Sequence, residues 1–234
     1  MTNLSKRLKT VASQITKGNR VADIGCDHAY VSIFLIENGI APKVIAMDIN
    51  KGPLERAMEN IKKNRLSDKI EVRQSDGGKA LKPDEVDALL IGGMGGALTV
   101  KILSESQGVV NTCKELVLQP QSEVFLVREY LLKENFQIIY EDMLIDDGKY
   151  YVIIKAIKGN SESSYEDPIF YKYGKYLLES KNQVLKEYLE KELRNNRKLL
   201  EELEKHSSDK TKARVSELKS DQQYLKRGLS YYEM

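Results

Sequence analysis

The sequence predicts an α/β fold: a Rossmann-like, mainly parallel sheet covered on both faces by helices, followed by a coiled-coil-like helical hairpin. Three observations predict it. Short, often β-branched apolar runs alternate with stretches of helix length through the first two thirds of the chain. An Asp-Gly turn then joins two longer strand-like runs. Beyond a polar linker the strand pattern ends, and leucines and tyrosines recur among Lys and Glu at a spacing of three to four. A chain of 234 residues is long enough for one such domain and an appendage.

The predicted parallel strands are Val21–Ile24, Val44–Met47, Ile70–Val72, Val86–Ile91 and Leu116–Leu118. Helices are expected over Tyr30–Asn38, Gly52–Arg65, Gly96–Glu105 and Glu123–Glu134, where apolar residues such as Leu54, Ala57, Met58 and Ile61 share one face. Ile138–Ile145 and Tyr150–Ile157, joined through Asp147-Gly148, are expected to close the sheet as an antiparallel pair. The segment from Gly159 to Ser164 reads as a linker, which sets the expected domains at 1–159, with a basic N-terminal helix, and 160–234. In the second domain one helix is expected to run from Tyr173 to Leu203 and another from about Lys212 to Leu229, with the break at His206–Asp209 making a hairpin.

No run approaches the roughly 20 apolar residues that span a bilayer, and the first twenty residues lack the apolar core of a signal peptide, so a cytoplasmic protein without membrane contact is expected. Cys26 and Cys113 are the only cysteines, with no Cys-x-x-Cys spacing, so reduced thiols and no metal site are expected. Nothing in the sequence calls for an obligate protein partner. The formal net charge of +2 is uneven: residues 1–20 carry +5 through Lys6, Arg7, Lys9, Lys17 and Arg20, residues 21–159 carry −4, and the remainder +1. A basic arm beside a slightly acidic domain suits a polyanion held near a site, although a solvated amphipathic helix has the same pattern.

Chemistry is expected outside the carboxyl ends of the strands, where an open α/β sheet takes its ligand. The first strand runs into Asp23-Ile-Gly25-Cys26-Asp27-His28-Ala-Tyr30, in which Gly25 lets a ligand approach backbone. Asp48 ends the second strand 23 positions after Gly25, where a carboxylate can accept both hydroxyls of a ribose. A dinucleotide would want G-x-G-x-x-G, yet those positions hold Gly25, Asp27 and Tyr30, and an acid repels a pyrophosphate but attracts a sulfonium or an amine. A cationic nucleoside cofactor is therefore expected. Ser75-Asp76-Gly77, after the third strand, places another acid where it could read an adenine amine. The Gly92–Gly96 run lacks the following Lys-Ser or Lys-Thr of a P-loop, which argues against ATP hydrolysis.

Asp23–Tyr30, Asp48-Ile49, Ser75-Asp-Gly-Gly78, Gly92-Gly-Met-Gly-Gly96 and Leu118-Gln-Pro-Gln121 together resemble the bacterial tRNA (adenine(22)-N1)-methyltransferases, over almost the whole chain. The resemblance implies a seven-stranded class I methyltransferase sheet, S-adenosyl-L-methionine as cofactor, tRNA as partner and methylation of N1 of an adenosine. It places Asp23, Gly25, Cys26, Asp27, His28 and Tyr30 around the methionine part of the cofactor, Asp48 and Ile49 at the ribose, Ser75, Asp76 and Gly77 at the adenine, and Gly92, Gly93 and Met94 after strand four near the transferable methyl. Asp27 and Ala29 depart from the later glycines common in the wider superfamily, and the Asn/Asp-Pro-Pro-Tyr motif that grips an exocyclic amine is missing, which argues against N6 methylation.

Catalysis is expected to be mostly positioning of a withdrawn base, because N1 of adenine already offers a lone pair. Asp27 is the candidate to favour a cationic ring, Tyr30 or Tyr151 to stack on the base, Gln119 to orient it, and His28 to order the loop or move a proton. RNA contacts are expected from Lys6, Arg7 and Lys9 on the basic start, and from Arg194, Arg197 and Arg214, with Lys198, Lys226 and Arg227, on the hairpin, for which a dimerisation surface or a buttress against the catalytic domain are the other readings. Two other readings remain open at this level: a methyltransferase acting on a small molecule or a protein, and a non-catalytic RNA-binding protein on the same fold.

Overall fold

The computed structural model describes residues 4–159, 164–205 and 209–233. The short apolar runs become strands because β-branched residues fit a sheet buried on both faces. β1 (Val21–Ile24), β2 (Val44–Asp48), β3 (Ile70–Gln74), β4 (Ala88–Met94) and β5 (Glu115–Pro120) pair in parallel, and β6 (Phe136–Asp146) and β7 (Lys149–Lys158) add an antiparallel pair. The seven strands lie in the order β3-β2-β1-β4-β5-β7-β6. That order reverses between β1 and β4, which opens a crevice beyond their carboxyl ends. Asp147 and Gly148 both take left-handed backbone (φ 48° and 69°), the turn that lets β6 and β7 fold back with matched twist.

The sheet is flanked by α1 (Lys6–Ser13), α2 (Tyr30–Glu37), α3 (Lys51–Lys63), α4 (Gly96–Glu105), the short α5 (Gln107–Val110) and α6 (Val124–Lys133). α3 buries Leu54, Ala57 and Ile61 of the apolar face expected from its spacing, whereas Met58, expected on the same face, is exposed. The Ser5 side chain caps α1 by accepting from the Leu8 N–H, and Val11, Ala12 and Ile15 join a core with Val21, Ile33, Leu35, Val44 and Ala46. The far end of α1 is fastened as well. Thr16 N, Thr16 Oγ1 and Asn19 Nδ2 donate to the buried Glu115 carboxylate at 2.8, 2.5 and 3.0 Å, while Lys155 Nζ lies 2.9 Å from Glu115 and donates to Gln14 O at 2.7 Å. The basic start is thus part of the domain wall.

Several boundaries differ from the sequence expectation. The fourth strand starts at Ala88 and continues through Gly92–Met94, because Gly92 and Met94 still pair with Gln119 and Pro120 across a bulge. These three residues therefore end a strand rather than follow one. α5 was not expected, since Gln107–Val110 is only four residues long. The chain divides into two compact units, Met1–Ser164 and Tyr165–Met234. In the second unit the expected single helix is three: α7 (Pro168–Tyr173), α8 (Lys175–Glu179) and α9 (Gln183–Leu203). Gly174 (φ 92°) breaks the first junction and left-handed Lys181 (φ 53°) the second, after which Asn182 caps α9 by accepting from Val184 and Leu185 N–H. α10 (Asp209–Ser230) packs back on α9, burying Leu218 and Leu225 near Asn196, whose Nδ2 donates to Leu218 O at 3.0 Å. The linker at 160–163 and the break at 206–208 lie outside the described residues. Among the described residues no helix is long and apolar enough to cross a membrane.

Candidate active site

Acids collect where the parallel strands end. Asp23, the third residue of β1, is 3% exposed and accepts from Ser32 Oγ at 2.6 Å. Burial, with a smaller repulsion from Asp48, pushes its carboxyl up to about 6. Asp27 follows in the loop with left-handed backbone (φ 48°), its Oδ2 3.6 Å from His28 Nε2 and its Oδ1 3.9 Å from Arg56. Asp48 ends β2 and accepts from Asn50 N–H at 2.9 Å, which fixes one carboxylate oxygen. These acids share one field: burial first, then Asp23, Asp48 and Asp27 together, raise the Cys26 thiol well above its usual range. Cys26 is therefore an inert, buried thiol.

A cavity of about 290 Å³ opens at the β1/β4 crevice. Its lining brings together eight of the loop and strand-end residues expected at the site, Asp23, Gly25, Cys26, Asp27, His28, Tyr30, Gly92 and Gly93. Gly25 has φ 77°, a left-handed backbone that residues with a side chain rarely adopt, and the Met94 methyl stands where a Cβ would be. Tyr30 is 44% exposed and its ring stacks on His28 with centroids 5.3 Å apart, which leaves a flat aromatic face at the opening. Asn60 Nδ2 holds the His28 carbonyl at 3.1 Å, a contact that orders the loop.

The row of strand ends continues outward from the cavity. Ile49, beside Asp48, is 55% exposed, and Ser75 N donates to Asp48 O at 3.0 Å, tying the β3 end to the β2 end. Ser75 itself is buried and its Oγ accepts from Ala80 N. Asp76 is engaged by Lys79 at 2.5 Å, which holds its carboxyl below the usual range, and Lys79 also reaches Glu105 at 2.7 Å. An acid so paired is a weaker reader of an adenine amine than one left open. Gly77 packs its backbone against Ile102.

Two expected placements change. Gln119 is fully buried, its Oε1 accepting from Arg7 at 2.6 Å and from Gly93 N at 3.2 Å, and its Nε2 donating to Pro120 O. It is spent on protein and is not among the residues lining the cavity. Arg7 is no free arm: its guanidinium lies 5.1 Å from the Tyr151 ring centroid and lines the cavity, while its N–H donates to Asp146 at 3.0 Å. Lys6 and Lys9 are exposed on the same helix, whereas Arg20 is drawn to Asp87 at 2.9 Å. In the helical unit Arg194 and Arg197 are exposed, Arg214 is bound to Glu217 and Arg227 to Asp167, each at 2.6 Å. Leu8, Val11, Val31, Leu90 and Gln121 also line the cavity and were not expected there from the sequence. The spacing of Leu4, Leu8, Val11 and Ile15 was the signal that α1 packs inward and takes Arg7 with it.

A family model described as a methyltransferase domain matches residues 4–154. The tRNA (adenine(22)-N(1))-methyltransferase of Bacillus subtilis (strain 168) is 35% identical over 227 residues, 95% of each chain. This chain belongs to that methyltransferase family. Among solved structures, the B. subtilis m1A22 tRNA methyltransferase TrmK matches with a TM-score of 0.89 at 34% identity, covering 98% of this chain and all of that one. A Streptococcus pneumoniae protein in complex with S-adenosyl-L-methionine matches at 0.86 and 31% identity, covering 97% of this chain and 100% of the other.

The residues present fit that cofactor. A left-handed glycine cradle, three carboxylates in one field and an exposed isoleucine beside Asp48 suit a cationic nucleoside with a ribose diol, and they oppose a pyrophosphate. Among the described residues no cluster of metal-binding side chains occurs.

Proposed function

We infer that this chain transfers the methyl group of S-adenosyl-L-methionine to N1 of an adenosine in tRNA, the adenosine at position 22 as in its B. subtilis relative, and that it works in the cytoplasm. The observation that carries this reading is the acid-lined cavity at the β1/β4 switch point, in a chain alike over nearly its full length to an enzyme of that activity. Asp23, Gly25 and Asp27 would hold the methionine part, Asp48 and Ile49 the ribose, and Ser75–Gly77 the adenine side. When bound, the cofactor supplies an electrophilic methyl on a sulfonium.

The remaining work belongs to the side chains at the opening. Adenine N1 carries its own lone pair, so no residue has to remove a proton before attack, and the site acts by orientation and by exclusion of water. The Tyr30 face, backed by His28, offers a stacking surface for a base withdrawn from the tRNA. Asp27 is the charge that favours the ring as it becomes cationic. His28 orders the loop through its carbonyl and its stack on Tyr30. Lys6, Lys9, Arg194, Arg197, Lys198 and Lys226 are exposed bases suited to phosphate contacts.

The test is transfer of labelled methyl from S-adenosyl-L-methionine to unmodified tRNA, followed by nucleoside analysis. N1-methyladenosine is expected, and it should disappear when guanosine replaces adenosine at position 22 of the tRNA. Cofactor binding without label in any tRNA would refute the acceptor assignment.

A further inference from the structure

One glutamine lies near the end of β5 and another just beyond it, and the structure puts them to opposite uses. Gln119 is buried and fully engaged, as described above. Gln121 is exposed at the lip of the cavity, and among the described residues nothing hydrogen-bonds its side-chain amide. Its backbone is nonetheless held firmly. Gln121 N donates to Met94 O at 2.8 Å, and one residue on, Ser122 O accepts from Gly96 N at 2.8 Å. A Cβ on Gly96 would meet Ser122 O at 2.6 Å and Glu123 C at 2.8 Å, so the turn after β5 sits hard against the first residue of α4. The Gln121 Nε2 lies 3.9 Å from where a Cβ on Gly93 would stand. An uncommitted donor and acceptor are thus carried on a hydrogen-bonded turn on the β4/β5 side of the switch point, while the acids lie at or just beyond the ends of β1, β2 and β3.

We propose that Gln121 reads the target base as adenine, its amide carbonyl accepting from N6–H and its amide N–H donating to N7. This rests on the acceptor being adenosine, as inferred above. A primary amide matches the donor-acceptor pair that adenine shows at N6 and N7. That pairing leaves N1 outward with its lone pair free, as the reaction requires. Guanine presents O6 and N7, two acceptors, and would leave the Gln121 carbonyl facing an oxygen. As N1 bonds to the methyl carbon, the N1 lone pair becomes the new N–C bond, the C–S pair returns to sulfur, and the ring gains a positive charge shared with N6. The N6–H bond to Gln121 strengthens along that path, so the residue acts on kcat as well as on choice of base.

The experiment uses the full chain and tRNA carrying a single 7-deazaadenosine at the target position, which removes N7 and leaves N1 and N6. In the wild type this change removes one of the two contacts and should lower kcat/KM about threefold to fivefold, less than the loss of a whole bidentate pair. Gln121→Ala removes both contacts and should lose roughly tenfold or more on natural tRNA, and 7-deazaadenosine should then cost less than about twofold more. Gln121→Glu sets an acceptor against N7, so it should be slow on adenosine and partly rescued by 7-deazaadenosine. Gln121→Ala, which adds no charge to the cavity lip, should shift cofactor affinity far less than it shifts kcat/KM. Equal losses from 7-deazaadenosine in the wild type and in Gln121→Ala, or a Gln121→Ala enzyme at wild-type rate, would overturn the proposal. A wild-type chain that methylates 7-deaza and natural tRNA equally well would overturn this contact alone, whereas one that methylates no tRNA would remove the acceptor reading beneath it.

Discussion

Asp23 makes the stability of this protein depend on pH in an unusual direction. Its carboxyl is raised by burial from 3.8 to about 6, so the folded chain holds a proton that the unfolded chain has already released between those values. The unfolded state binds fewer protons in this window, and stability must fall as pH rises through it. The favourable contribution is complete below about pH 4 and lost above about 6, where the cost of keeping the buried carboxylate ionised reaches roughly 3 kcal/mol at 1.36 kcal/mol per unit. Asp23→Asn keeps an acceptor for Ser32 and removes the charge. The variant should therefore be more stable than the wild type at pH 7.5 by about 2–3 kcal/mol and nearly equal to it at pH 4. Urea unfolding of both proteins across pH 4–8, without cofactor, reads the difference. S-adenosyl-L-methionine binding should move the other way, weakening in the variant and, in the wild type, as pH falls through 6. A variant that is less stable than the wild type at pH 7.5, or whose advantage does not change with pH, would refute the argument that burial strains this carboxylate.

Arg7→Ala removes a charged hydrogen bond to buried Gln119 and the contact with the Tyr151 ring; it should lower stability by about 1–2 kcal/mol in chemical unfolding and weaken cofactor binding measured by calorimetry. Gly96→Ala forces a methyl against the backbone of Ser122 and Glu123; it should cost about 1–3 kcal/mol in thermal unfolding and lower kcat by displacing the β5 turn. Charge reversal at two exposed positions of α9, Arg194→Glu with Arg197→Glu, should raise KM for tRNA several-fold and leave cofactor affinity alone, and an unchanged KM at low salt would remove that face from the RNA contact.

Much of the fold was legible because its strands are short and buried on both faces: Val21–Ile24 and Val44–Met47 appear in sequence as they do in space. The acids at the strand ends were legible for the same reason, since a strand's last residue can be counted from its apolar run. Gly92–Met94 was harder, because glycines read as a turn while the ladder to Gln119 and Pro120 keeps them in the strand. Gly174 interrupts a leucine spacing that continues on both sides, so periodicity alone joined α7, α8 and α9. The division of labour between Gln119 and Gln121 could not be read at all, since it depends on Arg7, over a hundred positions away in the chain, arriving to take the first of them. Counting charges along residues 1–20 likewise described one arm, where folding sends Arg7 to the site and Arg20 to Asp87.

The sheet order carries a consequence for how the chain emerges during synthesis. β5 is buried along its whole length, yet its outer neighbour is β7, the last strand made, and β6, made in between, lies beyond it. β6 has nothing on the sheet to pair with until β7 exists. In the finished sheet β6 reaches β5 only through β7, so the native cover of the β5 edge cannot form before the chain has been made through Lys158. Translational pauses between Pro120 and Lys158 would delay that cover, whereas pauses after it would not.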